Sequence, residues 1–337
     1  MDRRTFLRAG AALGALSAFK APAAIKPIAM KTAYISHPAC LKHEMTANHP
    51  ERPARMLAIE RALQSAGLLH KLAQYEAPLA SKAVLARAHS EAYIDWIFSQ
   101  SPKTGLVQLD ADTAMNVHSL EATLRASGAA IKGVDLVMTG QMQVAFCNTR
   151  PPGHHAGRAS SAGFCIFNHV AVAALHAIAH YGLTRVAIAD FDVHHGNGTE
   201  DIFHDDPRVM LCSSFRHPYY PYRGADSGNE HIINTPLAAG SNGAALRKVV
   251  NEQWLPALAR HKPQLLIISA GFDAHQEDSM GGLKWIEEDY RWVTEALKLV
   301  AEQHAEGRIV SVLEGGYALD ALGRSATAHI NTLMAHR

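Results

Sequence analysis

Four short apolar segments constrain the fold most, because each of them leads directly into a cluster of polar residues. Their lengths and their content of Val, Ile, Leu and Ala are typical of buried strands. Segment 144–147 precedes motif 150–156, segment 186–189 precedes motif 190–198, segment 265–270 precedes motif 271–273, and segment 309–313 precedes motif 314–317. Ligands of open α/β sheets bind outside the carboxyl ends of the strands, so one sheet would bring the four motifs to one edge. Their polar residues are of the kinds that bind metals and transfer protons, which favours a metal-dependent enzyme.

The composition fits a globular enzyme with a substantial core. The chain has 337 residues, of which 48% are hydrophobic and 19% are charged, so it can form one large domain or two ordinary ones. The formal net charge of +1, without a basic stripe, argues against a nucleic-acid partner. The four cysteines show no C-x-x-C spacing, so we expect reduced thiols rather than disulfides or a structural zinc site.

Residues 1–30 are similar to a bacterial export signal. Arg3 and Arg4 precede Thr-Phe-Leu, an Ala- and Gly-rich apolar stretch follows over 9–19, and 21–23 form an A-x-A-like cleavage site. Signals of the twin-arginine type have this order and direct a protein across the membrane. The apolar stretch is too short for a stable membrane span. We therefore expect a periplasmic or otherwise exported protein, with a disordered amphipathic tail as the alternative for this segment.

Helix and strand patterns alternate along the rest of the chain. Helices are predicted over 51–68, 170–181, 244–259 and 285–303. Further strands are predicted at 32–35, 209 and 232. Asn168 should cap the second helix and Gly182 should end it. This alternation predicts an α/β fold with a mostly parallel sheet and helices on both faces. Two longer loops, 99–119 and 213–229, are where we expect substrate contacts.

An Asp-x-His pair at one strand end and an aspartate at another predict a metal site. Asp192 and His194 are two residues apart, so in an extended segment both side chains point to the same side. Asp273 is the third candidate ligand. Three protein ligands with an open position are typical of catalytic zinc. The alternative for the pair alone is a solvated loop, which the polar residues at the other strand ends make less favoured.

The adjacent histidines His154 and His155 are candidates for proton transfer. The Gly-rich turn before them would press both imidazoles against the sheet edge, with an ordinary surface turn as the alternative. Asp190 could orient one imidazole and Asn197 the other. An Asp partner favours a charged imidazole, whereas an Asn partner leaves the imidazole neutral and able to act as a base. Tyr317 follows two glycines and could serve as an oxyanion donor or be an ordinary loop tyrosine.

Together these motifs resemble the zinc-dependent deacetylases of the histone deacetylase and acetylpolyamine amidohydrolase superfamily. Matching strings lie at 49–52, 109–113, 150–156, 163–168, 190–196, 270–275 and 314–317, and the resemblance covers about residues 31–335. It implies one domain over 31–337 with the three-layer α/β/α arginase–deacetylase fold around a mostly parallel, eight-stranded sheet. The implied reaction is hydrolysis of an acyl amide, which releases acetate and a free amine.

The resemblance implies a role for each matching residue. The implied zinc ligands are Asp192, His194 and Asp273. The implied catalytic residues are His154, His155, Tyr317, Asp190 and Asn197. The implied substrate contacts are Asp112, Gly163, Phe164, Tyr220 and Met280. A potassium ion is implied at Asp190, Asp192, His194, Ser213 and Ser214, although Phe215 stands where many relatives have histidine.

Three positions narrow the implied chemistry. Asn197 stands where class I members have Asp, which makes the chain similar to class II. Tyr317 stands where the weakly active class IIa members have His, so we expect competent hydrolysis. Met280 replaces the glutamate of a polyamine-preferring animal relative, which argues against polyamines because an apolar side chain does not attract a distant ammonium group.

The expected substrate is therefore an acetyl-lysine-like small molecule or peptide, with acetylpolyamines or other small acyl amines as the alternative. An arginase-type enzyme on the same fold, which would need two metals and additional Asp-x-Asp and Asp-x-His ligands, is a less favoured alternative. A module that binds acyl ligands without hydrolysing them is a more remote alternative. The natural substrate and the oligomeric state stay open at this stage.

Overall fold

A computed structural model describes residues 32–335, so the predicted signal over 1–30 lies outside the described residues. Its centre is an eight-stranded sheet in the order β2-β1-β5-β10-β9-β6-β7-β8, in which every neighbouring pair is parallel. The strands are β1 (Thr32–Ser36), β2 (Ala73–Glu76), β5 (Val144–Cys147), β6 (Val186–Asp190), β7 (Val209–Arg216), β8 (Ile232–Leu237), β9 (Leu265–Ala270) and β10 (Ile309–Leu313). A separate hairpin consists of β3 (Val107–Gln108) and β4 (Ala114–Met115).

Helices cover both faces of the sheet. They are α1 (Ala54–Ser65), α2 (Lys82–Leu85), α3 (Glu91–Gln100), α4 (Ser119–Met138), α5 (His169–Tyr181), α6 (Asn197–Phe203), α7 (Gly243–Val249), α8 (Leu255–His261), α9 (Glu287–His304) and α10 (Leu319–Met334). One hydrophobic core joins the sheet to α1 and α7–α10, and the other joins it to α2–α6. This is the three-layer α/β/α fold that the sequence predicted.

Successive side chains along each strand pack alternately into the two hydrophobic cores. Tyr34 and Phe146 belong to one core, whereas Ala33, Ile35 and Ala145 belong to the other. Successive strand residues point to opposite faces, so a strand buried on both sides reads as a continuous apolar run. The apolar segments of the sequence therefore mark the central strands.

The predicted helix bounds need some correction. Asn168 accepts a hydrogen bond from the N–H of Ala171 and Gly182 adopts a φ of 69°, so both capping residues of α5 are as predicted, and the helix begins one residue earlier, at His169. The predicted helix 51–68 begins only at Ala54 and ends at Ser65. The predicted helix 244–259 contains a π-helical turn at Val250–Trp254 between α7 and α8.

The four motif-bearing strands are neighbours in the sheet, in the order β5-β10-β9-β6. Because all four are parallel, their carboxyl ends lie at one edge and bring the four motifs together. Within residues 32–335, no helix combines the length and the apolar composition that a membrane crossing requires.

Candidate active site

Two strand ends bring the three candidate metal ligands together. Asp192 and His194 follow β6, and Asp273 follows the adjacent strand β9. Nδ1 of His194 lies 3.0 Å from Oδ1 of Asp192 and 3.2 Å from Oδ2 of Asp273. One ligand atom from each residue lies within 4.8 Å of the other two, and all three side chains are buried. These three residues therefore form a compact set of oxygen and nitrogen donors.

The donor set fits a small divalent cation. Tetrahedral coordination with bonds of about 2.0–2.2 Å places ligand atoms about 3.3–3.6 Å apart, close to the 3.0 and 3.2 Å between Nδ1 of His194 and the two carboxylates. Oδ2 of Asp192 accepts a hydrogen bond from the N–H of Gly315 at 2.8 Å, and Oδ1 of Asp273 accepts one from Val193 at 2.8 Å. Oδ2 of Asp273 is buried without a hydrogen-bond partner and faces Nδ1 of His194. A buried carboxylate oxygen of this kind calls for a cation.

Protonation of the trio supports the same conclusion. Burial raises the pKa of Asp273 to about 7, and the negative charge of Asp192 adds to this rise. Burial opposes the charged form of His194, but the close contacts of its Nδ1 with the negatively charged carboxylates of Asp192 and Asp273 outweigh it and raise the pKa of His194 well above its ordinary value. The proton on Nδ1 of His194 therefore lies between the two carboxylates, at the position where a divalent cation would bind. Gly315 leaves the necessary space, because a Cβ there would overlap Oδ2 of both carboxylates.

The two adjacent histidines lie beside this trio and have different partners. The ring centroids of His154 and His155 are 4.0 Å apart. Nδ1 of His154 lies 2.9 Å from Oδ2 of Asp190, and Nδ1 of His155 lies 2.7 Å from Oδ1 of Asn197. Nε2 of His154 lies 3.8 Å from Oδ1 of Asp192, so the imidazoles border the candidate metal ligands. A shared edge of the sheet therefore holds both groups.

The different partners give the two imidazoles opposite charge states. Burial opposes the charged form of His154, but the charges of Asp190 and Asp192 outweigh it and raise its pKa to about 10. Burial lowers the pKa of His155 well below its ordinary value, and the positive charge of His154 lowers it further. Asn197 carries no charge that could offset this. The site thus holds one charged imidazole beside one neutral imidazole.

The turn that carries Tyr317 follows β10 and is held by Arg55, a residue for which sequence reasoning assigned no role. Nε of Arg55 donates to the carbonyl of Gly316 at 2.6 Å, and Nη2 donates to the carbonyl of Glu314. The guanidinium carbon lies 4.9 Å from the centroid of the Tyr317 ring. Glu51 pairs with Arg55 at 3.1 Å in a fully buried ion pair. Glu51 lies within the matching string 49–52, which was the signal available in the sequence.

Glu314 links the turn of Tyr317 to the turn of the two histidines. Its Oε2 accepts hydrogen bonds from the N–H of Gly153 at 2.7 Å and from the N–H of His154 at 3.0 Å. Its Oε1 accepts one from the hydroxyl of Ser269 at 3.2 Å. Because Glu314 directly follows a buried strand, its carboxylate requires hydrogen-bond donors. The sequence did not show which residues supply them.

Aromatic rings surround the approach to the histidines. The ring of Phe164 is perpendicular to that of Tyr317 at 6.1 Å, and the ring of Tyr220 is perpendicular to that of His155 at 5.1 Å. Tyr219, which the sequence did not single out, stacks on His194 at 5.7 Å. The structure therefore brings the two predicted wall residues to the site and adds a third ring.

The other predicted substrate contacts lie on adjoining loops. The N–H of Gly163 donates to Oδ1 of Asp112 at 2.9 Å, and burial raises the pKa of Asp112, with a further rise from Asp110. Gly163 has a φ of 54°, and a Cβ there would overlap the ring of His155. Met280 is half-buried and its N–H donates to Oδ1 of Asp278 at 2.9 Å.

Two buried hydroxyls lie in the strand next to Asp190. Ser213 pairs in register with Asp190 across β6 and β7, and Ser214 follows it. The hydroxyls of both serines are buried and have no hydrogen-bond partner. Oxygen atoms of this kind suit a hard monovalent or divalent cation, although they do not form a cluster of charged ligands.

Comparison with known proteins agrees with this geometry. The family model of the histone deacetylase domain matches residues 49–333. A probable deacetylase of Archaeoglobus fulgidus is 34% identical over 86% of this chain and 82% of its own length. A histone deacetylase-like amidohydrolase of Pseudomonas aeruginosa is 35% identical over 81% of this chain and 73% of its own length. The crystal structure of the HDA15 HD domain superposes with a TM-score of 0.86 at 33% identity, covering 91% of this chain and 89% of that one.

Fold, site and comparisons together define a hydrolase of linear amide bonds on the arginase–deacetylase fold. The chain belongs to the histone deacetylase family.

Proposed function

We propose that the protein is a zinc-dependent deacylase that removes acetyl or related acyl groups from acetyl-lysine-like amines. One observation carries the proposal: a charged and a neutral imidazole lie 4.0 Å apart, beside three converging ligand atoms. Amide hydrolysis needs a base for the attacking water and an acid for the leaving amine. The pair of histidines can supply both.

Asp192, His194 and Asp273 would hold the zinc ion, because they offer the three donors of a catalytic zinc site and leave one position open. A bound zinc ion would act as a Lewis acid toward the acyl carbonyl and the attacking water. The N–H groups of Gly315 and Val193 fix the orientation of the two carboxylates from outside. Such outer contacts set the direction of the ligands before the ion arrives.

His155 is the general base in this proposal. Its neutral form has a free nitrogen, because Nδ1 is engaged by Asn197 and Nε2 can accept a proton from water. His154 keeps its proton through Asp190 and stabilises negative charge near the metal ligands. One of the two protonated imidazoles then gives its proton to the leaving amine, and the geometry of the residues fits either one.

Tyr317 is the oxyanion donor in this proposal. Burial raises the pKa of its phenol well above the ordinary value, so the hydroxyl keeps its proton and can donate it in a hydrogen bond. Arg55 holds the turn of Tyr317 and lies over its ring. A donor aimed at the developing oxyanion stabilises the transition state more than the substrate.

The aromatic rings support a slender acyl-amine substrate. Phe164 and Tyr220 would flank its methylene chain, while Asp112 would accept hydrogen bonds from backbone amides of a peptide. The half-buried, apolar Met280 disfavours a second ammonium group, so acetylpolyamines are the alternative rather than the first choice. A potassium ion at Asp190, Asp192, His194, Ser213 and Ser214 is part of the proposal, since both serine hydroxyls are buried without a partner.

A panel of substrates tests this function. Zinc-loaded enzyme is incubated with fluorogenic acetyl-lysine peptides, longer acyl-lysines and acetylated polyamines, and acetate release is measured. We expect the highest kcat/KM on an acyl-lysine. Faster hydrolysis of acetylated polyamines would indicate that the enzyme acts on this alternative class of substrate. Tight binding of acyl-lysine without any hydrolysis would instead indicate a binding module.

We further propose export through a twin-arginine signal. Arg3 and Arg4, the apolar stretch 9–19 and the cleavage-like residues 21–23 support it. Signals of this type carry folded proteins, so the metal site and the four reduced cysteines would be complete before passage. An exported enzyme would meet acylated peptides or small amines outside the cytoplasm.

A further inference from the structure

Asp278 is a buried carboxylate whose hydrogen bonds join two turns at the site. The residue is 4% exposed. Oδ2 accepts hydrogen bonds from the N–H of Tyr317 at 2.6 Å and from the N–H of Ala318 at 2.9 Å. Oδ1 accepts one from the N–H of Met280 at 2.9 Å. A single carboxylate thus fixes the backbone of Tyr317 and the backbone of Met280 relative to each other.

The turn of Tyr317 needs external contacts of this kind. Gly315 and Gly316 precede the tyrosine, and glycine leaves the backbone with more conformational freedom than any other residue. Gly316 has a φ of 121°, which other residues rarely adopt. Arg55 holds carbonyl groups on the amino-terminal side of Tyr317, whereas Asp278 holds the N–H groups of Tyr317 and the next residue. The two side chains therefore restrain the tyrosine from both sides.

The position of Ala318 strengthens this contact. Ala318 directly precedes α10, and the first N–H groups of a helix have no partner within the helix. A carboxylate is favourable there, because the amino end of a helix carries partial positive charge. The hydrogen bonds of Asp278 are thus charge-assisted, which makes them stronger than bonds between neutral groups.

We propose that Asp278 is a positioning residue for the Tyr317 hydroxyl. The inference rests on the proposed function, because it takes Tyr317 to be the oxyanion donor. An oxyanion donor works only within a narrow range of distances, about 2.7–3.1 Å from the developing charge. Loss of the carboxylate would release the backbone of Tyr317, so the phenol would sample positions outside that range. The aromatic walls Phe164 and Tyr220 lie on other loops than Asp278, so we expect the substrate still to bind.

Turnover in two backgrounds tests the inference. In the otherwise unchanged enzyme, Asp278→Ala should lower kcat at least about tenfold, since misplacement by about 1 Å can cost up to 10²-fold. KM should stay within about threefold, as a contact made mainly in the transition state predicts. In the Tyr317→Phe background, Asp278→Ala should change kcat less than about twofold, because the hydroxyl it positions is gone.

Asp289→Ala is the matched control. Asp289 is 5% exposed and accepts a hydrogen bond from the N–H of Ile286 at 2.9 Å, but it caps α9 rather than the turn of Tyr317. Both variants should lower the melting temperature, yet only Asp278→Ala should lower kcat, and zinc content should stay at the level of the unchanged enzyme in both. If Asp278→Ala does not fold, Asp278→Asn, which keeps one acceptor oxygen, is measured in its place. The positioning role then requires a loss of kcat of at least about threefold.

Amide hydrogen exchange supplies a readout that does not depend on activity. The N–H groups of Tyr317 and Ala318 should exchange faster in Asp278→Ala than in the control, while amides of β10 should not change. Equal losses of kcat in both backgrounds, or unchanged exchange at these two amides, would overturn the positioning role. If Tyr317→Phe alone leaves kcat within about tenfold of the unchanged enzyme, the oxyanion role in the proposed function is wrong. This result differs from the two results that would overturn the positioning role of Asp278.

Discussion

The surroundings of Glu314 predict both the direction and the size of a pH-dependent change in the free energy of unfolding. Its carboxyl group is fully buried and accepts hydrogen bonds from the N–H groups of Gly153 and His154. Burial raises its pKa from the ordinary 4.5 to about 7, although the charge of His154 and these hydrogen bonds oppose the rise. The folded protein therefore binds a proton that the unfolded chain has released over this range of pH.

The sign follows from proton linkage. Between pH 4.5 and about pH 7, the folded state holds more protons on Glu314 than the unfolded state. The free energy of unfolding must then fall as pH rises, and the contribution is complete below pH 4.5 and lost above about pH 7. A displacement of this size corresponds to roughly 3 kcal/mol. Ionisation of the Glu314 carboxyl group thus weakens the metal-free fold at neutral and higher pH.

Glu314→Gln isolates this charge. The glutamine oxygen can still accept from Gly153 and His154, and its amide can face the hydroxyl of Ser269. We expect the free energy of unfolding of this variant, relative to the unchanged protein, to improve by about 3 kcal/mol between pH 4 and pH 8. Glu314→Ala should instead lose about 2–6 kcal/mol at pH 4, because two buried N–H groups lose their acceptor.

Urea unfolding of metal-free protein, followed by tryptophan fluorescence at both pH values, measures these differences. Because both proteins share all other titrating groups, those groups cancel to first order when the two unfolding curves are subtracted. A difference between Glu314→Gln and the unchanged protein that stays constant, or becomes less favourable toward pH 8, would refute the reasoning.

Three further predictions concern catalysis and export. Tyr317→Phe should lower kcat about 10²–10³-fold with unchanged zinc content, measured by steady-state kinetics and elemental analysis, and a loss below about tenfold would contradict the donor role. Gly163→Ala should abolish most activity, because the new Cβ would overlap the ring of His155. Full activity of this variant in the same assay would show that catalysis does not need the close contact between Gly163 and His155. Replacing Arg3 and Arg4 with lysine should retain full-length precursor in the cytoplasm, as judged by immunoblotting of cell fractions, whereas unchanged fractionation would argue for a simple tail.

Much of the sheet was predictable because its central strands are buried on both faces. The apolar segments that end at Cys147, Ala189, Ala270 and Leu313 read as hydrophobic runs, which the structure confirms as neighbouring strands. The strand β2 and the helices α2, α3, α4, α6 and α10 were not predicted. Gly128 lies inside α4, where a Cβ would overlap the carbonyl of Pro78, so a tertiary contact explains a residue that locally disfavours a helix.

The candidate site was predictable where function depends on residues close in sequence. Asp192 and His194 share a strand end, so their convergence followed from the period of an extended chain. The supporting contacts of Arg55 and Asp278 were not predictable in this way. Arg55 reaches Gly316 across 261 residues of sequence, and Asp278 reaches Tyr317 across 39. The order of strands and the packing of α1 against the sheet together bring such partners into contact.

Zinc content per chain, measured together with turnover, tests the central claim most directly. Purified metal-free enzyme is titrated with zinc, and bound metal and acetate release are determined on the same samples. We expect activity to rise in proportion to zinc and to saturate at one ion per chain, while Asp192→Ala loses zinc and activity together. Full activity in protein that contains no zinc, or activity that requires two catalytic metal ions per chain, would contradict the account.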